Sequence, residues 1–127
     1  MVSKDIRAYF THFLTHWAHR KAAFGREEIN EYVRAFSRPG ALRGGFNHYR
    51  AAMNEDVPQW KADEGRVLNV PMLVLWGRND PTSPPEWTDG FPRAFSNMRI
   101  EFLDRCGHFP QEERPATVLA AMRAFLR

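Results

Sequence analysis

Two side chains in the second half of the chain have the types and the placement to act together on a proton. Asp80 stands in the stretch VLWGRND and His108 in EFLDRCGHFP. Each follows, within a few residues, a run that reads as a β-strand. In open parallel sheets the loops beyond the carboxyl ends of strands aim side chains into one crevice, so an acid and an imidazole placed there can meet. The carboxylate would accept the Nδ1–H, hold the tautomer and stabilise the imidazolium. The other ring nitrogen is then free as a general base toward water or a nucleophile. Asp80 before Pro81 also suits a plain turn, and His108 alone also suits a loop tie. Together, at matching strand ends, they point to acid–base chemistry.

The elements that must position this pair are legible from the apolar pattern. Residues 70–76, VPMLVLW, form a nearly continuous apolar run, as expected of a parallel strand buried on both faces. GRNDP ends it, and residues 84–95 predict a short helix. Met98, Ile100 and Phe102 then alternate with Arg99 and Glu101, which predicts a strand with one more exposed face. A last helix over 115–126 starts at Pro115 and turns Val118, Met122, Phe125 and Leu126 inward. Upstream, Ile6, Tyr9, Phe10, Phe13 and Trp17 fall at helical spacing over residues 3–19, with Ser3 as N-cap. A second helix over 26–36 carries Ile29, Tyr32, Val33 and Phe36, and Pro39-Gly40 breaks it. A third spans 41–54 through Leu42, Phe46, Tyr49 and Met53. The fold class expected is α/β, a helical segment followed by a β-α-β-α end of a parallel sheet.

Composition narrows the function classes. The chain has 127 residues, 43% of them hydrophobic, enough for one core. Its net charge of +3 comes from scattered, mixed-sign residues that suit a solvated surface and argue against a nucleic-acid partner. Cys106 is the only cysteine, which excludes an internal disulfide and a cysteine-built zinc site. His12, His16 and His19 would share one side of a helix, but no acid joins them, so a polar face is expected rather than a metal site. No apolar stretch reaches the ~18 residues that cross a bilayer, and the N-terminus lacks a signal-peptide pattern. A cytoplasmic protein with no membrane contact is expected.

VLWGRND followed by DRCGHFPQEERP resembles the C-terminal part of the α/β-hydrolase fold. There the acid follows a late strand as G-x-x-D and the base sits in a G-H-[FW] loop. EEINEYVRAFSRPGALRGGFNHYRA resembles the helical cap of the epoxide hydrolase and haloalkanoate dehalogenase branch. The resemblance implies a partial helical cap over residues 1–65 and the C-terminal part of the hydrolase core over 66–127. It makes His108 the base that activates a water, Asp80 its orienting acid, and Tyr49 the cap tyrosine that assists the leaving oxygen or halide. Tyr9 is the candidate for a second cap tyrosine, and Phe109 and Trp76 are candidates for substrate contact. Arg50 would hold a carboxylate or pair with Glu28 or Glu31. The implied substrate is a small molecule (an epoxide first, otherwise an organohalide or ester), with neither metal nor organic cofactor.

The chain departs from that pattern at one decisive place. The nucleophile of this fold sits on a G-x-S-x-G or G-x-D-x-G elbow. None of Ser3, Ser37, Ser83 and Ser96, and none of the aspartates, has those flanking glycines, and no H-G pair supplies an oxyanion loop. Cys106 is too near His108 on the same loop to replace it. Three readings follow: an epoxide-hydrolase-like fragment inactive alone, a dehalogenase-like relative, or a non-catalytic binding or assembly module. A Met1 that falls inside the cap favours truncation. Two strands also leave one strand edge unpaired, which predicts self-association or a complementing N-terminal half.

Overall fold

In the computed structural model, which describes residues 2–127 apart from the side chain of Ser3, the N-terminal half is a helical layer. Helix α1 spans Ile6–Trp17 and buries Phe10 and Leu14. Its cap is Asp5, whose carboxylate accepts the Ala8 N–H at 2.8 Å. The Ser3 backbone instead lies in a 3-10 turn over Val2–Lys4, and its side chain is outside the described set. Asp5 directly precedes the first helical residue, the position from which a short oxygen reaches the orphan N–H groups of the first turn. Helix α2, Arg26–Phe36, places Glu27 and Glu28 in its first turn, where they complement the helix dipole. Phe10, Leu14, Ala18, Phe24 and Ile29 form the buried core, flanked by Tyr32, Phe36 and Phe109.

Helix α3, Ala41–Ala51, continues through a π turn at Ala52–Asp56 into α4, Val57–Trp60. The helical path therefore runs past the expected end at residue 54. Pro58 has no N–H for an α-type bond, and the register change ahead of it lets the chain continue rather than break.

The second half is a two-stranded parallel sheet with helical connections. Strand β1, Met72–Gly77, pairs with β2, Met98–Leu103, in a register running from Met72↔Met98 to Gly77↔Leu103. A 3-10 turn over Pro85–Gly90 and the short helix α5, Phe91–Ala94, cross between them. Helices α6, Pro110–Glu113, and α7, Pro115–Phe125, close the chain. The α/β class expected from the apolar pattern is thus present, with one departure. Met72 to Trp76 are half-buried, and only Gly77 of β1 is fully buried. Among the described residues β1 is paired along one edge only, and α7 buries no side chain fully; Met122 is 47% and Leu126 76% exposed. No described helix is long and apolar enough to cross a membrane.

Candidate active site

The parallel register brings both strands out at the same sheet edge, so the loops after Gly77 and Leu103 run side by side. They are stitched together by the Asn79 N–H donating to the Cys106 carbonyl at 2.9 Å and the Arg78 N–H to that of Leu103 at 3.1 Å. Glycine is required where they touch. A Cβ on Gly77 would collide with the carbonyl oxygens of Cys106 and Gly107, and one on Gly107 would lie 2.6 Å from the Trp17 carbonyl oxygen. The His108 N–H donates to that same Trp17 carbonyl at 3.0 Å, which pins the loop to the end of α1.

A buried carboxylate completes the clamp. Glu113 has no solvent exposure, and its two oxygens accept the Gly107 N–H at 3.0 Å, the Phe109 N–H at 3.2 Å and the Arg20 N–H at 2.8 Å. Sequence reading did not single it out. The only signal was an acid following the histidine on a short helix, a position that usually faces water.

Within this frame the imidazole and the carboxylate meet. His108 Nδ1 lies 2.8 Å from Asp80 Oδ2 and 3.0 Å from Thr82 Oγ1. An ionised carboxylate only accepts, so Nδ1 carries the proton. Nε2 has no hydrogen-bond partner among the described residues. Asp80 Oδ1 accepts the Thr82 N–H and hydroxyl, both at 2.8 Å, and the Ser83 N–H at 3.1 Å. Burial pushes the Asp80 carboxyl up, since its side chain is 7% exposed. The bonds from the Thr82 N–H, His108 and the Thr82 hydroxyl, with the imidazole's charge, outweigh that and hold it below its ordinary value. Asp80 is therefore a fixed anion, and the ring it orients is one-third exposed. The arrangement can take a proton at Nε2 and stabilise the cation that results.

The other sequence-derived candidates distribute over two concavities. Trp76 lines a cleft of about 190 Å³ with Asp80 and His108, and its Nε1–H donates to the Ser83 carbonyl at 2.9 Å. Tyr9 and Tyr49 line a separate apolar cavity of about 350 Å³, with Phe13, Phe46 and His48. Tyr49 is 62% exposed there. A run of rings connects the two places: Tyr9 to Phe13 at 5.7 Å, Phe13 to Trp17 at 3.7 Å, and Trp17 edge-on to His108 at 4.8 Å. Phe109 instead packs edge-on against Phe24 at 5.1 Å, beside the helical core. Arg50 donates to Asn47 at 2.7 Å rather than pairing with Glu28 or Glu31, and Glu31 holds Arg34 one turn along its own helix. His12 and His16 stack at 3.9 Å on the exposed side of α1. Burial, reinforced by Glu113's charge, pushes the Cys106 thiol up to about 11, which keeps it protonated and a poor nucleophile.

Tyr32, legible in the sequence only as part of an apolar helix face, also has a polar role. Its hydroxyl donates to Glu112 at 3.0 Å and ties α2 to the helix that follows the histidine loop. Burial, with Glu112 adding to it, pushes this phenol up to about 12.

A parallel α/β edge carrying a carboxylate-oriented imidazole under a helical layer defines a class of hydrolase-like folds. Residues 3–121 match the family described as the alpha/beta hydrolase family, and the chain belongs to it. It is 31% identical over 123 residues to the soluble epoxide hydrolase of a Corynebacterium species, covering 94% of this chain and 41% of that protein. Epoxide hydrolase A of Mycobacterium tuberculosis is 36% identical over 109 residues, covering 83% of this chain and 32% of that protein. The solved structure of the epoxide hydrolase CorEH superposes with a TM-score of 0.83 at 29% identity, over 99% of this chain and 45% of its own. The chain thus spans less than half the length of each of these three relatives.

Proposed function

We propose that the chain supplies the acid–base pair and part of the substrate-covering cap of an epoxide-hydrolase-like enzyme acting in the cytoplasm. In this reading residues 1–65 are the partial cap and 66–127 the late part of the core, and the nucleophile lies outside these 127 residues. The observation that carries it is the His108–Asp80 contact of 2.8 Å with Nε2 left free. The names of the relatives support the substrate class. A carboxylate from the missing part attacks an epoxide carbon, the carbon–oxygen bond breaks, and the Tyr49 phenol protonates the departing oxygen. His108 Nε2 then takes a proton from water, the hydroxide adds to the ester carbonyl, diol and free carboxylate are released, and the imidazolium proton returns through solvent to the Tyr49 phenolate.

The test joins this chain to the N-terminal portion of the Corynebacterium relative and measures diol formed from a small epoxide. The expected result is turnover that falls roughly 10²–10⁴-fold in His108→Ala, with an ester-linked adduct visible by intact mass. Halide release from a haloalkanoate in place of diol would move the assignment to the dehalogenase branch. Turnover indifferent to His108→Ala would sink the acid–base reading.

A further inference from the structure

A second polar cleft has no part in this chemistry. His19 and Arg20 beyond the end of α1, Arg105 after β2 and Arg114 between α6 and α7 line a cleft of about 330 Å³. Its guanidinium groups come from three separate segments of the chain. Arg34, Arg66, Arg78 and Arg99 each pair with a carboxylate, Arg78 with Asp104 at 2.8 Å and Arg99 with Glu101 at 2.9 Å. Among the described residues none of Arg20, Arg105 and Arg114 forms such an ion pair. Asp104, next to Arg105, is held by Arg78, and Glu113, next to Arg114, is fully buried with its oxygens taken up by main-chain N–H groups. The Arg20 guanidinium donates to the main-chain carbonyl of Glu113.

We infer that this cleft is an oxyanion site for the phosphate group of a small anion, either orthophosphate or a phosphomonoester. Like charges gathered around one concavity repel, and an entering dianion removes that repulsion while filling several N–H donors at once. A planar carboxylate offers two oxygens. A tetrahedral phosphate offers more and can take guanidinium donors carried by three segments. The cleft is larger than orthophosphate requires and leaves room for an organic group. Arg105 also holds a left-handed φ of 51°, so its side chain leaves the backbone in a direction fixed by the turn before Cys106.

The full 127-residue chain is titrated with orthophosphate, glycerol phosphate and acetate at constant ionic strength, with binding read from amide chemical shifts. Saturable phosphate shifts centred on Arg20, Arg105 and Arg114 are expected, with acetate much weaker. Arg105→Asn, which tolerates the left-handed backbone, and Arg114→Gln should each raise the phosphate Kd by about tenfold, the loss of one charge-assisted hydrogen bond. Binding of glycerol phosphate as well would mark an organic ligand, and binding of orthophosphate alone the inorganic ion; both uphold the site. Shifts no larger than those from matched chloride, acetate binding as tight as phosphate, or unchanged affinity in both folded variants would overturn it. Because the readout is binding, the outcome does not depend on the hydrolytic role of His108.

Discussion

Asp80 and Glu113 are both carboxylates held by N–H donors, yet they serve different ends. Asp80 keeps one oxygen for His108, whereas Glu113 gives both to the backbone of the loop that carries the histidine. Replacing Glu113 with alanine would leave the buried Gly107 N–H and the part-buried Phe109 and Arg20 N–H groups without this partner. A loss of about 3 kcal/mol or more in stability is expected, seen as a lower urea midpoint. The pH dependence belongs to Asp80. Its folded pKa lies below the ordinary 3.8, so its contribution is present above that value and lost as pH falls through the folded pKa. The stability advantage of the parent over Asp80→Asn should therefore hold at neutral pH and vanish in acid. An advantage that grew on acidification would contradict the assignment.

The elements owe their placement to a few close approaches. Gly107 sits where the histidine loop meets the end of α1, and an alanine there would press on Trp17 and His19 backbone atoms. Gly107→Ala should cost about 2–3 kcal/mol and disturb the His108–Asp80 contact, visible as a shifted imidazole resonance. Asp5→Ala is expected to cost about 1 kcal/mol and to fray α1 without reaching the histidine, so the same resonance should stay put. Most of these elements were readable from periodicity, since helix and strand each stamp a local repeat on the apolar residues. The cap of α1 was misread as Ser3 because two capping residues lie close together and only the path of the chain chooses between them.

The whole molecule is organised around a sheet that stops at two strands. Leu73 and Leu75 of β1 face an open apolar groove with Met122 and Phe125 of α7 and Leu126 just beyond it. With β1 unpaired along one edge among the described residues, backbone groups and apolar side chains are presented together, a surface prone to pairing with another chain. Concentration-dependent oligomers are expected in sedimentation velocity, reduced by Leu126→Glu; a monomer at all concentrations would argue against that association. Local features were written in the residues alone: the helices, the two strands, and an acid and an imidazole at neighbouring strand ends. Strand period and turn chemistry are written residue by residue, so they survive without the fold. Packing in three dimensions set the burial of Glu113 beneath the histidine loop and the placing of Tyr49 and His108 on different concavities. It also brought three arginines from distant segments to one cleft. Those outcomes depend on which elements pack together, and burial turns a commonplace surface glutamate into the anchor of the candidate site.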